Sequence, residues 1–172
     1  MIHYLNRFKL KKKLFYFALH PIPYHIGIYR EVSKIKNIDF KVIYLDDIGI
    51  KPVFNKDFNA EIKWDIDFTK GYKSEFLKNY SFNFLKLSPY FSRLNFGIVR
   101  SFFQKPDIVL ITGYTTFSDM MILILSKITR TKVIYRGEAT LRKNTSALKE
   151  FIKKYYLKIL LKNCNIVMYS CS

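Results

Sequence analysis

Five short apolar runs, residues 14–19, 40–45, 108–112, 132–135 and 166–169, constrain this chain more than any other feature. Each is rich in branched or aromatic residues and nearly continuous rather than alternating. That is the pattern of strands buried on both faces of a parallel sheet. Helical spacing fills the gaps. Residues 24–36 follow the turn residues Pro21 and Pro23. Residues 91–103 end before Pro106, with Asp107 opening the next strand. Residues 118–128 start at Ser118, a plausible N-cap by residue type. Residues 146–162 keep Leu148, Phe151, Ile152, Tyr155 and Ile159 at helical spacing, with lysines on the other faces. Alternating strands and helices of these lengths imply β-α-β units and an open parallel sheet with helices on its faces. Residues 49–89 interrupt the alternation and predict an elaborated connection, with a short hairpin around 61–66.

At 172 residues the chain has the length of one domain with a proper core. Abundant aromatic and branched residues argue against disorder. The formal charge of +17, from 30 Lys+Arg against 13 Asp+Glu, is the unusual quantity. An anionic membrane surface, nucleic acid and a coding bias toward Lys, Asn, Ile, Phe and Tyr all fit it, since net charge speaks to partners and not to fold. No nucleic-acid-binding motif accompanies the charge, so nucleic acid is the least expected partner. The acidic residues concentrate between Asp39 and Glu75, and the stretch after Thr140 is almost purely basic. The helix at 146–162 therefore reads either as a core helix with a solvated basic face or as a membrane-surface contact.

The apolar runs are too short to span a bilayer. Residues 1–12 read as a basic leader. Together with the first apolar run they imitate a signal peptide, but His20, Pro21 and Pro23 follow at once and no small-residue cleavage site appears. Cys164 and Cys171 fit no zinc spacing and no disulfide framework, and read as free thiols in a reducing, cytoplasmic setting.

Ligands of open α/β sheets bind beyond the carboxyl ends of the strands. His20, Tyr24 and His25, then Gly27 and Arg30, follow the first run, Asp46 and Asp47 the second, Gly113, Tyr114, Thr115 and Thr116 the third, and Arg136, Gly137 and Glu138 the fourth. Glu138 and His20 have the chemistry to orient or deprotonate a hydroxyl. Arg136 has a planar fork suited to phosphate or carboxylate. Gly113 and Gly137 permit close approach of backbone to a ligand. The plainer reading of each is a turn glycine or a surface ion pair. Their collection on one edge favours a site. No Gly-x-Gly-x-x-Gly or Gly-Lys-Ser/Thr loop follows the first run. Asp65 and Asp67 are spaced like an Asp-x-Asp metal motif, but their flanks read as a solvated turn, and no metal site is expected.

In order, these residues resemble a known family. A strand ends in His20-Pro21-Ile22-Pro23-Tyr24, and a helix carries Tyr29-Arg30. Trp64, Gly71-Tyr72 and Phe76-Leu77 follow. Then come the Pro106-Asp107 strand ending in Gly113-Tyr114, the Tyr135-Arg136-Gly137-Glu138 turn with Arg142, and a basic helix leading to Asn165-Ile166-Val167-Met168-Tyr169. The series resembles the N-terminal half of a GT-B glycosyltransferase of the large retaining family four, glycosyl transferases group 1. The resemblance implies a single Rossmann-like domain over residues 1–172 that receives the acceptor, facing a donor-binding C-terminal domain that this sequence does not contain. It implies a nucleotide-sugar as co-substrate, no cofactor or metal, and a glycan or lipid-linked acceptor, as in polysaccharide biosynthesis. It places the protein in the cytoplasm, peripheral to the inner face of the cell membrane. Glu138 and His20 would be catalytic; Tyr24, Gly113, Tyr114, Arg136 and Gly137 would line the cleft. Pro21 and Pro23 replace the usual glycine-rich first loop, and no glutamate pair has the Glu-x7-Glu spacing. A fragment of this kind is expected to be inactive alone. The reading from another class is a non-catalytic module of the same fold that binds an anionic membrane or polymer.

Overall fold

The computed structural model describes residues 11–47, 53–55, 60–62, 67–81, 93–137 and 147–169. Six parallel strands form one sheet: β1 (Lys12–Ala18), β2 (Ile38–Tyr44), β5 (Lys73–Phe76), β6 (Ile108–Ile111), β7 (Lys132–Gly137) and β8 (Ile166–Tyr169). Their order is β5-β2-β1-β6-β7-β8, and every adjacent pair is parallel. The chain runs outward from β1 in one direction, then returns and runs outward in the other. This is a Rossmann-like α/β arrangement. A separate antiparallel pair, β3 (Val53–Asn55) with β4 (Ala60–Ile62), occupies the long connection. The hairpin expected at 61–66 therefore begins earlier, and residues 63–66 lie outside the described residues.

The nearly continuous apolar runs are explained by two cores. Along β1, Phe15 and Phe17 face one core while Tyr16 and Ala18 face the other. Along β2, Ile43 and Leu45 share the first core, and Phe40, Val42 and Tyr44 the second. Successive side chains point to opposite faces, so a strand covered on both sides needs apolar residues at every position. The helix α1 (Pro23–Ser33) covers the second core with Ile26 and Tyr29. The helices α2 (Gly97–Phe103), α3 (Phe117–Thr129) and α4 (Ala147–Asn163) cover the first with Ile98, Phe102, Ile122 and Leu160. Among the described residues, no helix is long and apolar enough to cross a membrane.

The strand β5 has no counterpart in the sequence reading. Its residues Lys73, Ser74, Glu75 and Phe76 are mostly polar because it is an edge strand, exposed to half-buried along its length. Ion pairs of Lys41 with Glu75 and of Lys73 with Asp39 tie it to β2. Two helix starts also differ from expectation. The cap of α3 is Thr116, not Ser118. The helix α2 begins at Gly97, because residues 93–95 run as irregular chain. Asn95 explains the latter. Its side chain is fully buried and its amide donates to the carbonyls of Leu45 at 2.9 Å and Lys78 at 3.0 Å. Its backbone N–H donates to Ser118 Oγ at 3.0 Å. These bonds hold the chain in an irregular course where helical bonding would otherwise compete.

Asp107 supplies the staple between the two central strands. Its carboxylate accepts from the backbone N–H of Lys13 at 2.9 Å and from Lys12 Nζ at 3.0 Å. Its own N–H donates to the Lys13 carbonyl at 3.0 Å. These bonds hold its carboxyl below the ordinary range, with the Lys13 backbone bond the main cause. Asp107 thus fixes the start of the β1–β6 pairing, which defines the centre of the sheet.

Candidate functional site

The direction of the chain reverses between β1 and β6, so the crevice past their carboxyl ends is the topological switch point of the sheet. A cavity of about 290 Å³ lies there. Its wall carries His20 from the β1–α1 connection, His25 from the first turn of α1, Arg93 from the chain before α2, Gly113 and Thr116 from the β6–α3 turn, and Asp119 from the first turn of α3.

His20 is the polar group with the clearest chemistry. Burial pushes its imidazole below the ordinary value, the nearby Arg93 guanidinium pushes it further down, and Asp46 partly opposes them. His20 is therefore neutral at pH 7. Its Nδ1 is buried without a hydrogen-bond partner among the described residues. Arg93 is mostly buried and sits 3.5 Å from Asp46, also mostly buried. The Nε contact is an ion pair without hydrogen-bond geometry, since Arg93 Nε makes no hydrogen bond among the described residues. Asp46 thus offsets part of the charge that Arg93 brings to the wall.

A second chain of contacts runs behind His20. Arg136 Nη1 lies 3.5 Å from His25 Nε2, and the Tyr29 hydroxyl lies 3.4 Å from His25 Nδ1. Both contacts are long. A guanidinium only donates, so the Arg136 contact requires Nε2 to accept, and the proton of a neutral His25 then sits on Nδ1, facing the Tyr29 oxygen. Tyr24 lays its ring edge-on to His25 at 4.6 Å between centroids but is itself 70% exposed.

The β6–α3 turn is closed by a capping box. Asp119 Oδ2 accepts from Thr116 N at 2.9 Å and Thr116 Oγ1 at 2.8 Å, while Thr116 Oγ1 accepts from Asp119 N at 3.1 Å. Burial raises the Asp119 carboxyl above its ordinary range, against the Thr116 bonds and Arg93 that favour the anion. Gly113 has its reason here. A Cβ on it would stand 2.8 Å from Asp119 Oδ2. The missing side chain makes room for the capping carboxylate, so packing accounts for this glycine. Gly113→Ala is expected to cost about 1–3 kcal/mol through overpacking. Thermal or urea unfolding checks this, with Gly27→Ala as the control because a Cβ there meets nothing within 4 Å.

The residues singled out in the sequence divide into three groups. His20 and Gly113 lie on the cavity wall. Tyr24 and Arg136 both meet His25, whose ring is on that wall. Tyr114 and Gly137 instead pack on Tyr135, Tyr114 edge-on at 6.1 Å and Gly137 so close that a Cβ on it would stand 3.0 Å from the ring. Glu138, Asp65 and Cys171 lie outside the described residues. Asp67 accepts from the N–H and hydroxyl of Thr69, which makes it a turn residue. Cys164 is half-buried, and burial pushes its thiol up to about 11, so it stays protonated and inert.

Sequence reasoning passed over Arg93 and Asp119, and took Thr116 as a strand-end residue without its capping role. The Thr-x-x-Asp spacing of Thr116 and Asp119 was a legible capping signal. Arg93 gave none, because it reaches the site from a connection far along the chain. No family model matches this chain, and neither does any curated protein.

Proposed function

We propose that this domain is the acceptor-binding half of a GT-B glycosyltransferase that transfers a sugar, with retention, from a nucleotide-sugar to a glycan or lipid-linked acceptor. The observation that carries the reading is the electrical character of the cavity at the switch point. His20 is neutral there, and Arg93 is paired with Asp46, which offsets part of its charge. Such a wall suits a neutral, hydroxyl-rich ligand. It is a poor match for a diphosphate, whose developing charge needs uncompensated cations or free backbone donors. Donor binding and leaving-group stabilisation then belong to a second domain.

In this reading His20 hydrogen-bonds the acceptor hydroxyl and orients it for transfer, and is able to take its proton. Arg136 and His25 position the wall behind it, and Tyr24 extends the contact surface outward. Glu138, next to β7, is the proposed second catalytic group, with Tyr114 and Gly137 shaping the adjoining strand end. The acceptor binds at the cytoplasmic side of the cell membrane, as polysaccharide biosynthesis requires. The test is direct. The chain alone, given nucleotide-sugars and saccharides, is expected to release no nucleoside diphosphate above background. Robust turnover by these 172 residues would overturn the assignment of donor chemistry to another domain.

A further inference from the structure

The outer surface of the α2–α3–α4 layer has the wrong polarity for a face left in water. In α2, Ile98, Ser101 and Phe102 point into the core, yet the opposite arc carries Val99 and Phe103, the latter 79% exposed, beside the cap residue Phe96, which is exposed and rests on Tyr80. In α3 the buried residues are Ser118, Asp119, Ile122 and Ser126. Its outward arc is Phe117, Met120, Ile124 and Ile128, spaced by three and four residues, with Ile128 71% exposed. A helix that is apolar all round requires a second partner for its outer side. The two helices pack side by side on the same sheet face, so both stripes lie on one surface. Neither helix exposes a carboxylate, since Asp119 is buried.

The cations lie around this patch. Arg100 and Lys127 are exposed beside the stripes, and Lys105 and Arg130 are exposed just past the two helix ends. The helix α4 adjoins α3. With Leu160 in the core, its outward arc presents Lys154, Tyr155, Lys158 and Lys162, all exposed. The layer therefore runs from an apolar stripe to a lysine row.

We propose that this layer docks on an anionic lipid bilayer, with the apolar stripes of α2 and α3 in the headgroup–acyl boundary and the lysines of α4 over anionic headgroups. Charge selects the occupant. A second copy would bring another +17 chain against the first, which opposes self-association. Amphipathic helices held in the interface plane bind by this sum of apolar burial and attraction to anionic lipid. The proposal does not rest on sugar transfer; a chain that floats with vesicles and binds no saccharide leaves it standing.

The experiment is vesicle flotation of the full chain with mixed phosphatidylglycerol–phosphatidylcholine vesicles and with pure phosphatidylcholine vesicles. The native chain is expected to float with the first and at least about tenfold less with the second. The double substitution Ile124→Asp and Ile128→Asp, at exposed positions, is expected to cut binding at least about tenfold. The triple substitution of Lys154, Lys158 and Lys162 to Glu is expected to do the same while leaving the apolar stripe intact. Circular dichroism melts establish that both variants fold. Three outcomes overturn the proposal: no flotation of the native chain, equal flotation on uncharged vesicles, or variants that bind like the native chain. A native dimer that the Ile124 and Ile128 substitutions dissociate also overturns it, by assigning the stripe to a protein interface.

Discussion

Asn95→Ala is expected to destabilise the domain by about 3–5 kcal/mol, a large part of the stability of a typical domain. The side chain is fully buried, and its amide donates to two carbonyls, of Leu45 and Lys78, within 3.0 Å. Its Oδ1 accepts from the Ser118 hydroxyl at 2.9 Å. These partners come from the end of β2, the chain after β5 and the first turn of α3. Each buried polar group left unpaired costs about 1–3 kcal/mol, and truncation adds a cavity. Urea denaturation would show the midpoint falling with little change in slope. Asn95→Leu should be no milder, because it restores volume and still leaves the carbonyls without their donor. If either substitution shifts stability by less than about 1 kcal/mol, Asn95 is not the tie between these elements.

The second large effect concerns His20. In His20→Ala, saccharide affinity is expected to fall at least about tenfold, the equivalent of about 1.4 kcal/mol for one lost hydrogen bond with a partner left unsatisfied. The pH dependence carries the same signature. His20 in the folded chain has a lowered pKa, through burial first and Arg93 second. Its contribution to stability is therefore fully present above the unfolded value of about 6.5 and is lost as pH falls through the lower folded value. Saccharide binding that needs the neutral ring follows the same course, constant above neutrality and declining in acid. His20→Ala should bind weakly at every pH and lack this acid limb. An isothermal titration series across pH reads both effects.

How much of this was legible in the sequence depends on where the signal sat. The four central strands, β2, β1, β6 and β7, declared themselves because burial on two faces demands apolar residues at nearly every position, as Phe15, Tyr16 and Phe17 show; the fifth apolar run, β8, is instead an edge strand that leaves Ile166 and Met168 exposed. The edge strand β5 did not, because Lys73 and Glu75 serve an edge half-open to water. The strand-end rule placed His20 and Gly113 on the cavity wall, where the reversal between β1 and β6 makes the crevice. The same rule grouped Tyr114 and Gly137 with them, although both pack on Tyr135 instead. Strand ends share an edge, and only the topology says which of them share a crevice. Arg93 was beyond reach for a related reason. It enters from the irregular chain that Asn95 holds in place, and no local pattern marks that chain. For Gly113 the sequence pointed to the right position for a different reason. Ligand approach was the expectation, and the observed demand is the Asp119 carboxylate.

The central claim is that the switch-point cavity is a near-neutral saccharide site and not a nucleotide site. The most direct measurement is a titration followed by amide chemical shifts, with neutral saccharides and nucleotide-sugars added separately to the native chain and to His20→Ala. The account predicts saccharide-dependent shifts at His20 and along residues 112–116. Those shifts should be weakened in the variant, and nucleotide-sugar should leave them unmoved. Nucleotide-sugar shifting those amides at lower concentration than any saccharide, with His20→Ala indistinguishable from native, would contradict it.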